Sequence, residues 1–358
     1  MKLALCAACA LLIAAPATSL AQEAGRSGLS WDAVVDTYFA WDFNRPDGGA
    51  RAFATQPSRH NEFALNLALV RVQYSSSESA TPARASIGIA TGTYMEANYA
   101  AEPQLFRNIY EAYAGVGLGR GTWLDAGILP SHIGFESALT PANRSWSRSL
   151  IAENSPYYEA GVRLTLQPTH QLTVALLALN GWQNIRETND GKAAGLQLAY
   201  RPTARLLLNY SNYIGDEAPS GSDDAAIRFF HDIYAQLAVS DRVGITAAFD
   251  SGSQQRADGD AAVWHGSALL AHVQIAPRWT VCGRAEYYHD PDQAIVNTGT
   301  EAGLVATGGS LTLDYAPAER VLLRTEGRVF GTDRRVWPSR DGLENRDAFL
   351  VTSLAITF

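Results

Sequence analysis

The sequence predicts an all-β chain, a transmembrane antiparallel up-and-down β-barrel of about 16 strands with short periplasmic turns and long external loops. Three observations predict it. Apolar and polar residues alternate with period two through nearly the whole chain, the connections alternate between short and long, and the chain ends on a strand with a terminal Phe358. Composition agrees: of 358 residues 47% are hydrophobic and 18% charged, with a mean hydropathy of −0.10. These values exclude a disordered chain and a helical membrane protein, and they require apolar surface dispersed among polar residues.

The only sustained apolar run is Leu3–Ala15, preceded by Lys2 and followed by Pro16 and Ser19-Leu20-Ala21. Small residues at the −3 and −1 positions predict a signal peptide over 1–21, cleaved before Gln22 and too short to anchor the chain. Residues 22–358 then form one barrel domain. Loss of Lys2 moves the net charge from −8 to −9, and Cys6 and Cys9 leave with the signal. Cys282 remains alone, so the mature chain forms no internal disulfide, although its compartment permits one. Modest acidity and export together exclude a nucleic-acid partner.

The first strand is read from Trp31–Asp42, where Trp31, Ala33, Val35, Thr37, Phe39 and Trp41 share one face and Asp32, Asp36 and Asp42 the other. In Tyr158–Leu166, Tyr158, Ala160, Val162, Leu164 and Leu166 oppose Glu159, Gly161, Arg163 and Thr165. A helix would scatter both sets around its circumference. The same test places strands at 31–41, 62–74, 84–94, 107–118, 122–130, 157–167, 171–181 and 192–200, then 204–214, 227–239, 242–251, 262–275, 278–289, 303–315, 320–330 and 347–358. Short turns such as Gly119-Arg120-Gly121, Arg201-Pro202-Thr203 and Ala276-Pro277 carry Gly or Pro. Between them lie long polar loops, among them Gln183–Gly191, Gly215–Ala226 and Gly331–Arg346. The turn Ser75–Arg84 is longer than its kind.

A soluble sandwich also shows alternation, but its strands have a mode of ~5–6 residues. Strands of ~10 residues cross a bilayer at a tilt of ~45°. Aromatic residues at strand ends, including Trp31, Trp41, Tyr157, Tyr158, Tyr200, Tyr213, Trp264, Trp279, Tyr287 and Tyr315, are placed as interfacial girdles would place them. In the last strand Leu350, Leu354, Ile356 and Phe358 share a face, and this strand must pair with the first to remove an edge that lipid does not tolerate.

The stretch Ser155-Pro156-Tyr157-Tyr158-Glu159-Ala160-Gly161-Val162-Arg163-Leu164, followed by Ala178-Leu179-Asn180-Gly181-Trp182-Gln183-Asn184, resembles the OmpL-like β-barrel porin family. So do Arg284-Ala285-Glu286-Tyr287-Tyr288 and Asp314-Tyr315-Ala316-Pro317 running into Leu323-Arg324-Thr325-Glu326-Gly327-Arg328. The match extends over most of the mature chain. It implies a multi-pass porin of a Gram-negative outer membrane, in contact with membrane lipids and lipopolysaccharide and recognised by the assembly machinery through Phe358. The expected function is a water-filled channel for passive diffusion of small hydrophilic solutes or ions, without cofactor or metal. The alternative is a non-conducting barrel serving as receptor, adhesin or envelope scaffold. General porins of this size are commonly trimers, and a homotrimer and a monomer both stay open.

A barrel this large encloses an aqueous lumen, whereas ~8 strands would be filled by side chains. With apolar faces toward lipid, the lumen receives Glu111, Asp125, Glu159, Arg163, Asp232, Asp250, Arg284, Glu286, Asp314, Arg324, Glu326 and Arg328. Arg324, Glu326 and Arg328 form a row at ~6.7 Å intervals. Turned toward lipid, each Arg would cost ~2–4 kcal/mol near the midplane. The pairs Arg284–Glu286 and Arg324–Glu326 read either as wall ion pairs or as a selectivity ladder. The connection Pro130–Pro156 is third among the long loops and the longest, and it is the candidate constriction loop. It carries His132, Glu136, Arg144, Arg148 and Glu153 beside Phe135, Trp146 and Leu150. Its apolar members need a wall to pack against, and Glu136 and Glu153 facing wall arginines would set up a transverse field.

Catalytic and metal readings are weaker. His265 and Ser267 share a strand face but lack the Asn before His and the Asn-Gly after Ser of outer-membrane phospholipases, and no orienting group is present. The acidic pairs Asp216-Glu217, Asp223-Asp224 and Asp290-Pro291-Asp292 lack the spacing of a Ca²⁺ loop. His170 and His289 have no adjacent His or Cys for zinc.

Overall fold

The computed structural model describes residues 28–76, 81–219, 221, 225–256 and 259–358. The expected signal peptide over 1–21, the centre of the Ser75–Arg84 turn and Asp223-Asp224 lie outside the described residues.

Long period-two stretches become long strands. The chain runs β1 (Gly28–Asp42), β2 (Phe63–Ser76), β3 (Ala83–Thr91), helix α1 (Thr93–Asn98), β4 (Ile109–Gly119), β5 (Thr122–Pro130), helix α2 (Leu150–Glu153), β6 (Tyr158–Leu166), β7 (Leu172–Leu179) and β8 (Ala193–Thr203). It continues through β9 (Leu206–Asp216), β10 (Ile227–Ala238), β11 (Val243–Gln255), β12 (Ala261–Ala276), β13 (Trp279–Asp290), β14 (Leu304–Ala318) and β15 (Val321–Thr332). A small hairpin, β16 (Trp337–Ser339) and β17 (Gly342–Glu344), precedes the last strand, β18 (Arg346–Thr357).

Apart from that hairpin, each strand pairs antiparallel with its sequence neighbour, and β18 closes on β1 from Val34↔Thr357 to Asp42↔Phe349. The result is a closed barrel of 16 strands with no free edge. Outward positions are apolar and exposed: Val70 and Val72 on β2, Ile87 and Ile89 on β3, Leu269 and Val273 on β12, Leu350 and Leu354 on β18. The opposite parity is buried inside, where Tyr38, Trp146, Phe230, Trp264, Tyr288 and Phe330 belong to one apolar cluster.

The structure corrects the sequence reading at several points. The strand expected over 84–94 ends at Thr91 because Gly92 takes φ 129°, and a Cβ there would meet the Asn66 carbonyl oxygen at 2.4 Å. The chain turns instead into α1. Tyr213 and Trp264, expected in the girdle, point inward and are buried, whereas Trp31 and Tyr200 are exposed. Tyr157 is half-buried, with its ring over the guanidinium of Arg148. Tyr158, assigned to the lipid face, is covered by Tyr99 from the loop after α1, with ring centroids 4.2 Å apart.

Candidate functional site

The inner wall is built by strand parity. On β13 and β15, Arg284, Glu286, Arg324, Glu326 and Arg328 point inward and are buried. Register places Arg284 and Arg328 on either side of Ser310, so the two rows face each other across β14. Arg284 Nη2 lies 2.9 Å from Glu326 Oε1 and Arg328 Nη2 2.8 Å from Glu286 Oε2, while Arg284 Nε is 3.4 Å from Glu286. Breaking a buried pair costs ~3–5 kcal/mol, which is why signs alternate along the wall. The pair expected between Arg324 and Glu326 does not form. Arg324 reaches its cross-strand partner Asp314 at 2.7 Å, and Glu326 is left for the loop.

On the opposite wall Asp125 Oδ2 binds Arg84 Nη2 at 2.6 Å and Arg163 Nη2 at 3.5 Å. Glu111 lies 3.6 Å from Arg71, which holds Asp32 at 2.9 Å. Glu159 meets His132, and Asp232 faces Asp250 across the β10–β11 ladder. Arg71 and Arg84 belong to this interior set, although the sequence reading did not single them out, and so does Asp36, which it had placed on the polar face of the first strand. Their signal was parity alone, since Arg71 sits between the lipid-facing Val70 and Val72.

The connection between β5 and β6 is docked on both walls. At its start, His132 Nδ1 and Nε2 lie 2.8 Å from Glu159 Oε1 and 2.8 Å from the Asn212 carbonyl, while Ser211 and Gln197 donate to the His132 carbonyl. Farther on, the backbone N–H groups of Trp146 and Ser147 donate to Glu326 at 2.9 and 2.7 Å. Leu150 N–H donates to Glu286, Arg284 donates to the Ser147 carbonyl, and Arg324 caps the carbonyls of Thr140, Asn143 and Ser145. Backbone groups of a loop inside a barrel need such partners. Apolar contacts complete the docking: Phe135 packs on Tyr234, Trp146 on Tyr38, and Ile151 of α2 against Gly266, where a Cβ would come within 2.5 Å of it.

The four charged loop residues go to different places. Glu136 accepts from Ser149 N–H at 2.7 Å and lies 3.6 Å from Arg284. Burial pushes its carboxyl above the usual range, against the pull of Arg284. Arg148 and Glu153 pair with each other at 3.1 Å, and Glu153 also accepts from Thr55 of the loop after β1, so Glu153 faces no wall arginine. Arg144 lines a cavity of about 70 Å³ with Glu136, Asn143, Gln236, Thr246 and His272, beside the short turn at Ser240-Asp241. At ~10–15 Å³ per water, that is room for several.

His132 makes the loop's root pH-dependent. Burial opposes its charge, but Glu159 and the Asn212 carbonyl outweigh burial and raise its pKa. A raised folded-state pKa contributes stability that is complete below the unfolded value of ~6.5 and is lost as pH rises through the folded value. His132→Gln is therefore expected to flatten the pH dependence of loop protection in hydrogen exchange over that window, and equal profiles would contradict the pairing.

His265 and Ser267 have outward parity, and the His265 ring stacks on His289 at 4.7 Å. The acidic loops are turn-formers: Asp216 accepts from Ala218 and Ala226 N–H groups, and Asp290 from Ala294, Ile295 and Val296. Among the described residues no group of three or more His, Cys, Asp or Glu is placed to hold a metal ion.

The barrel is similar to solved outer-membrane proteins. It matches an anion-selective porin from Comamonas acidovorans at TM-score 0.62 and 9% identity, covering 93% of this chain and 100% of that one. The outer membrane channel DcaP of Acinetobacter baumannii matches at TM-score 0.63 and 12% identity, covering 92% and 97%. OmpT of Vibrio cholerae, in its trimer form, matches at TM-score 0.58 and 8% identity, covering 92% and 99%. At these identities the likeness shows the fold. No curated protein matches the sequence. A family model, by contrast, matches residues 28–358, nearly all of the chain. The chain belongs to that family, Putative beta-barrel porin-2, OmpL-like, and is an outer-membrane porin.

Proposed function

We propose that the barrel is a passive-diffusion channel for small hydrophilic solutes or ions, constricted by the loop between β5 and β6. The observation that carries this reading is the docking of one loop on opposite inner walls, at His132–Glu159 and at Ser147–Glu326, inside a closed barrel whose lining is charged. Arg144, Glu136 and His272 line the cavity beside the Ser240-Asp241 turn, and Arg144 is the group proposed to meet a passing solute. No step of bond making is assigned to any of them, and no cofactor enters. Salt-gradient recordings in planar bilayers are expected to show reversal potentials that move toward cation preference, by a few-fold in permeability ratio, in Arg144→Gln. An unchanged ratio would remove Arg144 from the passage.

A non-conducting scaffold is the competing reading. It is favoured by the apolar packing of Trp146, Leu150 and Ile151 inside the barrel, and an absence of discrete current steps would support it. Membrane lipids and lipopolysaccharide face the exposed apolar band, and Phe358 at the end of the closing strand is the proposed assembly signal. A homotrimer is the proposed assembly, in line with the trimer form of the Vibrio cholerae neighbour, and native mass determination distinguishes it from a monomer.

A further inference from the structure

Inward arginines on the wall of this barrel meet acids by register. Asp32 faces Arg71, Asp125 faces Arg163 and Asp314 faces Arg324, each across one ladder. The buried Arg51, Arg148, Arg284 and Arg328 also pair with carboxylates. Arg228 is different. It is 9% exposed, as buried as Arg163, and it forms no ion pair among the described residues. Its cross-strand neighbours are Gly215 on β9 and Gln254 on β11, neither of which carries charge.

The surroundings hold this guanidinium without neutralising it. Gln254 Oε1 accepts from Arg228 Nε at 3.0 Å and from Nη2, so a neutral group fixes one edge of the fork. The ring centroids of Trp182 and Trp264 lie 5.0 and 5.8 Å from Cζ, within the range at which an aromatic face attracts a cation. Nη1 makes no hydrogen bond among the described residues, and it is not sealed off. Arg148 Nη1 and Arg163 Nε are buried and unbonded, whereas Arg228 has no such nitrogen. The Trp264 ring lies on Gly252, where a Cβ would strike it, and its Nε1–H is buried with no acceptor. Two acids stand at the external ends of β9 and β13, and both are engaged elsewhere. Glu217 accepts from Trp182 N–H at 3.0 Å and from the Tyr213 hydroxyl, and Asp290 accepts from three loop amides.

The negative field of those acids works against an anion held only at a distance. What the site favours is an anion that meets the fork directly with two coplanar oxygens. The flanking indoles add apolar walls for a small hydrocarbon part, and Trp264 adds an N–H in want of an acceptor. We propose that Arg228 is a docking site for small organic carboxylates at the external end of the lumen. The two carboxylate oxygens accept from the Nη1–Nη2 edge that Gln254 leaves open, and the hydrocarbon part lies against Trp182. Chloride offers no second oxygen and no apolar part, so it competes poorly. Passage of carboxylates onward through the barrel rests on the channel reading; their binding at Arg228 does not.

The test uses the full-length mature protein in lipid vesicles at neutral pH, titrated separately with sodium butyrate and sodium chloride. Trp182 and Trp264 flank the guanidinium, so tryptophan emission reports occupancy. Wild type is expected to show a saturable change with butyrate and no saturation with chloride over the same range. Arg228→Gln should weaken butyrate binding at least several-fold, and Arg228→Lys, which keeps the charge but not the fork, should fall between the two. Equal titrations in wild type and Arg228→Gln, or a chloride response that matches butyrate, would overturn the site. Should Arg228→Gln fail to fold, Trp264→Phe removes the indole N–H and leaves the guanidinium. A few-fold weakening read from the remaining tryptophans is then expected, and unchanged affinity would overturn the site. Saturable, Arg228-dependent binding in a protein that passes no current would contradict the channel and leave the site standing.

Discussion

Glu326→Ala is expected to free the constriction loop and raise single-channel conductance several-fold while the barrel stays closed. Glu326 accepts from Trp146 N–H, Ser147 N–H and the Ser147 hydroxyl, and it pairs with Arg284 at 2.9 Å. Its removal strips two loop amides of their acceptor and leaves Arg284 with the longer contacts to Glu286 and Glu136, at 3.4 and 3.6 Å. Leaving a buried charge short of its partner costs ~3–5 kcal/mol, enough to favour an undocked loop in which water supplies the missing partners. Glu326→Gln, which keeps acceptor and shape but not charge, should fall between. Conductance and proteolysis of the loop read the effect. Unchanged values in Glu326→Ala would show that the apolar contacts of Trp146 and Ile151 hold the loop unaided.

Gly127→Val is expected to abolish folding of the barrel. Gly127 adopts φ 134°, and a Cβ there would lie 2.2 Å from the Ala112 carbonyl oxygen and 2.8 Å from the Tyr113 Cα. Its cross-strand partner is Gly161, where a Cβ would meet the Ala178 carbonyl oxygen at 2.1 Å. These are backbone obstacles, so no rotamer relieves them, and a β-branched residue in that conformation adds strain of ~1–3 kcal/mol. The strands β4 and β5 would have to separate, and in a membrane each unpaired backbone group costs several kcal/mol. The expected result is loss of the compact, heat-modifiable species on refolding. Recovery of that species at wild-type yield would contradict the proposed backbone packing.

Strand number and topology were legible because parity is a local property of sequence: one lipid-facing and one inward face repeat wherever a strand crosses. The end of β3 was not, since Thr91-Gly92-Thr93-Tyr94 continues the alternation and only the close approach of Asn66 turns the chain at Gly92. Parity also placed Arg284, Glu286, Arg324, Glu326 and Arg328 inside but could not choose their partners. Arg324 bonds Asp314 instead of Glu326 because cross-strand register, not spacing along β15, decides which side chains meet. The loop's docking was less legible still. Its anchors are backbone N–H and C=O groups of Thr140, Asn143, Ser145, Trp146, Ser147 and Leu150, which every sequence carries at every position. The cross-strand pairing of Asp232 with Asp250 became visible only once β10 and β11 were in register.

Recording from the purified protein in a planar bilayer tests the central claim most directly. A constricted open barrel predicts discrete, ohmic current steps, with conductance that increases in Glu326→Ala. A folded, inserted barrel that passes no ionic current in either protein would contradict the account.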